Sequence, residues 1–123
     1  ASDVYKRQTL ADAQKMAASG VIDFQSHTVR HLDLNELSYA DQLKELTESK
    51  RWLDQNLHQK TPVICYPAGR ANAATTRAAK KAGYKYALST APGIATSETD
   101  PYNLTRQRVT PGMSLETFAG LLK

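Results

Sequence analysis

The chain is poor in cysteine, in aromatic residues and in long apolar runs. Its one cysteine, Cys65, excludes an intrachain disulfide. That residue lies in the apolar run Val63-Ile64-Cys65-Tyr66 and reads as a small core residue, not a nucleophile. Six glycines and five prolines in 123 residues exclude a collagen-like or low-complexity chain. No apolar stretch is long enough to span a bilayer as a helix. The formal net charge of +4 comes from basic residues scattered along the chain, with no block of like charge. No nucleic-acid motif and no basic stripe interleaved with aromatics appears, which argues against nucleic acid as a partner. A diffuse positive excess suits solvated surface, with weak affinity for an acidic polymer as the alternative. The phosphate-binding loop, the nucleophile elbow and the C-x-x-C pair are all missing.

What is present fits one globular domain, with 41% hydrophobic and 23% charged residues. Thr9 can cap a helix through Ala18, with Gly20 as its stop. Val21-Ile22-Asp23-Phe24 reads as a short strand leading into Ser26-His27-Thr28-Val29-Arg30-His31. Ser38 can cap the longest helix, from Tyr39 to about His58, with Tyr39, Leu43, Leu46, Leu53 and Leu57 as its apolar stripe. Trp52 flanks that stripe and reads as a packing residue. A strand over residues 63–66, a Pro67-Ala68-Gly69-Arg70 turn and a helix from Asn72 to Ala82 closed by Gly83 follow. A strand over 84–89, a loop over 90–103, a strand over 104–109 and a helix over 115–122 complete the order. Strands alternating with helices imply βα units and a mostly parallel sheet or barrel, the α/β class. In such folds functional groups gather at the C-terminal ends of strands, and His27, Pro67 and Arg106 all fall at or near such ends.

His27 and His31 form H-x-x-x-H. Imidazole is a good ligand for a borderline ion, and two rings from one short segment can reach the same Zn²⁺. The Glu of H-E-x-x-H is absent, since Thr28 follows His27, and the neighbouring residues favour a loop over a helix. By spacing alone, two surface histidines remain the alternative. Tyr66-Pro67-Ala68-Gly69 reads by itself as a strand-ending turn. Arg106 and Arg108 read as alternating residues of an exposed strand.

Three segments carry a resemblance. Phe24-Gln25-Ser26-His27-Thr28-Val29-Arg30-His31-Leu32-Asp33-Leu34 resembles the H-(S/T)-x-x-H motif of the NodB-like polysaccharide deacetylases, family 4 of the carbohydrate esterases. Tyr66-Pro67-Ala68-Gly69-Arg70 resembles the groove-lining motif of that family, and Leu104-Thr105-Arg106-Gln107-Arg108-Val109 resembles its late L-x-R-x-x-V segment. The resemblance implies a partial deformed (β/α) barrel of NodB type lacking its first strands. It implies His27 and His31 as ligands of a divalent metal, most often Zn²⁺, with Thr28 behind them. It assigns the Ala68 N–H to the developing oxyanion, Tyr66, Pro67 and Gly69 to the substrate groove, and Arg106 to the neighbourhood of the catalytic carboxylate. The implied activity is hydrolysis of acetyl groups from N-acetylglucosamine-containing glycans, peptidoglycan or exopolysaccharide, outside the cell membrane.

The family's Asp-Asp motif has no match, because no two aspartates are adjacent in this sequence. The resemblance gives one of those aspartates the role of general base and the other that of third ligand. The peptide Asp3-Val4-Tyr5-Lys6-Arg7-Gln8 resembles a translated transposon-adapter end. The expectation is a foreign or disordered arm over residues 1–8 and a partial deacetylase domain over 9–123, inactive alone. An open sheet edge would favour self-association. Two rivals stand beside this reading. One is a non-catalytic carbohydrate-binding or interaction domain. The other is an unrelated zinc hydrolase that adds Asp23 or Asp33 to the two histidines.

Overall fold

A computed structural model describes residues 8–123. The arm expected over residues 1–8 therefore lies, apart from Gln8, outside the described residues. Four α-helices and two short strands follow in the order α1 (Leu10–Ala18), α2 (Tyr39–Asn56), β1 (Val63–Cys65), α3 (Ala73–Ala82), β2 (Tyr86–Leu88) and α4 (Leu115–Leu121). Each helix begins where a side-chain oxygen takes up a free amide of the first turn. Thr9, Ser38, Asn72 and Ser114 accept from the amides of Asp12, Asp41, Thr75 and Thr117. Asn72 and Thr75 complete a reciprocal capping box. Gly83 closes α3 at φ 98°, a left-handed geometry that a side chain would disfavour.

β1 and β2 pair in parallel, with Val63 opposite Tyr86 and Cys65 opposite Leu88. Single parallel bridges extend the sheet on both sides, Ser26 to Ile64 and Leu88 to Leu104. The lateral order is therefore that of the sequence: the Ser26 segment, β1, β2, the Leu104 segment. Helix α2 crosses from the first position to β1 and α3 crosses from β1 to β2, the βαβ arrangement. The core lies between the helices and this sheet. It consists of Leu34, Leu46, Ile64, Tyr66, Ala78, Ala79, Tyr84 and Ala87, each no more than 2% exposed.

Two expected strands shrink to single bridges. Residues 21–24 form no strand, and Val21 and Ile22 are exposed. Pairing begins only at Ser26, whose N–H donates to the Val63 carbonyl while its own carbonyl accepts from Cys65. Residues 104–109 pair only at Leu104. A strand is a property of a neighbour as much as of the segment, and among the described residues neither segment has a second partner. Helix α2 also ends at Asn56, with His58 at φ 51° just beyond it. Its buried face is rotated from the expected stripe. Gln42, Glu45, Leu46 and Ser49 are buried, whereas Tyr39 is 39% exposed.

Candidate functional site

The four parallel segments bring their C-terminal ends to one edge. His27 follows Ser26, Pro67 lies two residues past β1, Thr90 two past β2, and Arg106 two past Leu104. Among the described residues, four that are not glycine have positive φ, and three of them stand here: Thr28 at 68°, His31 at 57° and Ala68 at 53°. Left-handed backbone of this kind costs on the order of 1–3 kcal/mol per residue, so the surrounding structure must impose it.

His27 and His31 are both exposed and come together with ring centroids 4.8 Å apart and planes at 67°. The His27 Nδ1 lies 2.7 Å from the Cys65 carbonyl oxygen. A carbonyl can only accept, so Nδ1 carries a proton, and in the neutral ring this leaves the Nε2 lone pair for a ligand. This is the usual way in which a backbone carbonyl orients a ligating imidazole. Thr28 folds its hydroxyl back to accept the His31 N–H at 3.1 Å, which braces the turn between the rings. The main chain between them is held by Glu45 of α2. The Glu45 carboxylate accepts the N–H groups of Val29 and Arg30 at 3.0 and 2.9 Å and pairs with the Arg30 guanidinium. Burial pushes this carboxyl upward, but the Arg30 side chain and the two amides outweigh it and hold its pKa below the ordinary value.

The turn after β1 closes through the Gly69 and Arg70 amides, which donate to the Tyr66 and Pro67 carbonyls. The Ala68 N–H takes no part in those bonds. Gly69, at φ 67°, lies so close to the segment after β2 that an added Cβ would stand 2.7 Å from the Thr90 nitrogen. A cleft of about 500 Å³ opens beside this turn, bordered by His27, Tyr66, Ala68, Thr90, Arg106, Gln107 and Arg108. His27 also borders a second hollow of about 470 Å³, with Trp52, Glu48 and Gln25.

Of the expected groove residues, Tyr66 borders the cleft, although little of it or of Pro67 is exposed. Tyr66 is 1% exposed and donates its hydroxyl to the Tyr102 carbonyl at 2.9 Å, and Pro67 is fully buried. Both side chains are buried, and Tyr66, part of the border of the cleft, joins the core cluster with Ala78 and Ala79 of α3. Burial likewise pushes the Cys65 thiol up, only partly offset by Arg106, which keeps it protonated and a poor nucleophile near neutral pH. Glu45 is the residue that sequence reasoning missed, and Gln107 joins the cleft from within the L-x-R-x-x-V segment. A signal for Glu45 existed: Gln42, Glu45 and Ser49 share a helix face with Leu46.

Two imidazoles suit a borderline divalent ion such as Zn²⁺. Among the described residues no group of three or more His, Cys, Asp or Glu side chains is placed to hold a metal. Asp33 pairs with Arg70 at 3.5 Å, and Asp23 accepts from Gln25 at 2.9 Å. Neither joins the histidines, which removes the unrelated zinc hydrolase with Asp23 or Asp33 as third ligand. No helix of the described residues is long and apolar enough to cross a membrane.

Known proteins share the sequence and the fold of this chain. YxkH of Bacillus subtilis, named as a polysaccharide deacetylase, is 39% identical over 97% of this chain and 43% of its own length. The poly-beta-1,6-N-acetyl-D-glucosamine N-deacetylase of Staphylococcus aureus is 28% identical over 77% of this chain and 36% of its own. The crystallised Streptococcus pyogenes deacetylase PplD, in complex with acetate, superposes with a TM-score of 0.90 at 36% identity, over 95% of this chain and 51% of its own. The Bacillus cereus polysaccharide deacetylase BC0361 superposes with a TM-score of 0.87 at 28% identity, over 98% of this chain and 38% of its own. The chain thus spans about half, or less, of the relatives it matches, and its parallel sheet and crossing helices are part of a NodB-like deacetylase barrel. With the family model for polysaccharide deacetylases matching residues 3–87 as well, the chain belongs to the polysaccharide deacetylase family.

Proposed function

We propose that this chain carries part of the active site of a metal-dependent deacetylase acting on N-acetylglucosamine-containing glycans. The observation that carries the proposal is the pairing of His27 and His31 at the sheet edge, with the His27 Nδ1 committed to the Cys65 carbonyl and its Nε2 free. These two imidazoles would hold the ion, most plausibly Zn²⁺, with Thr28 bracing the turn behind them. The ion would supply Lewis acidity to the reaction. Water adds to the acetyl carbonyl, the C–N bond breaks, and acetate and a free amine leave. The uncommitted Ala68 N–H suits an oxyanion that forms in the cleft. Arg106 and Arg108 give the same cleft a positive wall, suited to stabilising negative charge that develops there. The Staphylococcus relative's name supports poly-N-acetylglucosamine as the substrate class, and action on such an exopolysaccharide would place the reaction outside the cell membrane.

The third ligand and the general base are not supplied by an Asp-Asp pair in this sequence. Two imidazoles without them would bind an ion weakly and move no proton, so this chain alone is expected to be inactive. The lack of a three-residue ligand group among the described residues favours a second reading, a non-catalytic glycan-binding module. The two readings separate in one calorimetric series with Zn²⁺ and chito-oligosaccharides. The metal-site reading expects Zn²⁺ binding that is abolished in His27→Ala and His31→Ala. Glycan binding indifferent to chelator and to both substitutions would replace it with the module. Acetate release by the purified chain would refute its inactivity. The Ser26 segment has a free edge among the described residues, and self-association through it is checked by sedimentation over a concentration series.

A further inference from the structure

The Glu45 carboxylate is a buried charge, 3% exposed, on a helix that otherwise turns apolar and neutral polar residues inward. A charge in that place persists only when its lone pairs are taken up. Here every partner belongs to one turn. Oε2 receives the Val29 and Arg30 amides, and Oε1 receives the Arg30 Nε. The two amides are consecutive and converge on one oxygen, the geometry with which a turn grips an anion. The turn is the link between His27 and His31. Thr28 and His31, on either side of the gripped amides, are in left-handed backbone that neither residue favours. The Thr28 hydroxyl fixes one step of this turn, and Glu45 fixes the rest to a rigid helix.

We propose that Glu45 is a positioning residue that sets the spacing of the His27 and His31 rings by clamping the main chain between them. This rests on the reading of those rings as ligands. Glu45 touches neither ring and acts through the turn. Its loss would let the strained residues relax toward ordinary backbone and carry the second ring away from the first. Outer partners that orient metal ligands typically change metal affinity by roughly 10- to 100-fold.

The test is Zn²⁺ affinity of the full chain by competition with a chromophoric chelator, beside amide hydrogen exchange of residues 28–31. Glu45→Gln keeps the shape but removes the charge, and is expected to weaken Zn²⁺ binding by roughly tenfold or more and to speed exchange at Val29 and Arg30. Gln42→Leu is the control. Gln42 is buried one turn earlier on the same helix, but its partners are Leu37 and Thr75, away from the histidines. It is expected to alter thermal stability and leave Zn²⁺ affinity unchanged. Wild-type affinity in Glu45→Gln, or an equal loss in Gln42→Leu, overturns the proposal. If Glu45→Gln does not fold, the exposed Arg30→Ala decides. A several-fold loss supports the clamp, and wild-type affinity overturns it. Failure of the wild type itself to bind Zn²⁺ through His27 and His31 refutes the ligand assignment and the clamp together. A wild type that binds beside a Glu45→Gln that binds equally refutes only the clamp.

Discussion

The stretch from Leu34 to Ser89 and the stretches on either side of it use the same local grammar, yet they differ sharply in burial. Helices α1 and α4 are capped by Thr9 and Ser114 as cleanly as α2 and α3 are by Ser38 and Asn72. Still, α1 and α4 contain no buried residue, whereas α2 and α3 supply Leu46, Ala78 and Ala79 to the core. Leu115 and Leu122 are 82% and 67% exposed. A single side-chain bond reaches each of these two helices, Gln14 to the Asn56 carbonyl for α1 and Gln107 to the Leu121 carbonyl for α4. Capping starts a helix, but its stability comes from the face it buries. The candidate site straddles this divide. Its turns at His27 and Pro67 lean on the core, while Arg106 and Arg108 ride on the loosely held flank.

The contrast breaks most directly at two leucines. Leu46→Ala is expected to cost about 3 kcal/mol or more of unfolding free energy, and Leu115→Ala to stay within about 0.5 kcal/mol, by urea denaturation. Comparable losses at the two sites would erase the distinction between core and flank. Gly69 is one of the points where the two parts touch. Gly69→Ala drives a Cβ into Thr90 and is expected to cost about 1–3 kcal/mol. A neutral result would mean that the segment after β2 is free to move away from the turn.

A smaller effect sharpens the picture inside the core. The Glu45 carboxyl titrates below its ordinary value of 4.5 in the folded chain. A depressed carboxyl contributes stability that is fully present above its unfolded value and disappears as pH falls through its folded value. Burial pushes Asp54 up as well, but Lys50 at 2.8 Å and Thr61 outweigh it, so it titrates in the same sense. Thermal midpoints of the wild type should therefore fall as pH drops below about 4.5, and Glu45→Gln should flatten part of that slope. Parallel slopes would show that the Glu45 pairing adds no stability.

Much of this was legible from residue order. The caps at Thr9, Ser38, Asn72 and Ser114, the stop at Gly83 and the alternation that implies βαβ crossing all rest on local chemistry. The H-T-V-R-H and Y-P-A-G segments pointed to the edge where the structure brings them together. The strands read at 21–24 and 104–109 did not form beyond single bridges, because a strand needs a partner that its own residues do not specify. The α2 stripe was misjudged for a related reason. Gln42, Glu45 and Ser49 look solvent-facing until Thr75, the 29–30 amides and Ser26 arrive to satisfy them. Ser26 also accepts from the Tyr84 hydroxyl, whose pKa burial pushes up to about 12.

By itself the sequence determined where helices begin, which residues can ligate a metal and which family the chain resembles, because capping, donor chemistry and motif spacing act over a few neighbours. Tertiary structure alone decided that Tyr66 and Pro67 are buried beside the cleft, that the His27 Nδ1 meets the Cys65 carbonyl, and that Glu45 holds the turn between the rings. Each of those depends on partners 15 or more residues away, and only the folded sheet and its crossing helices bring them within reach.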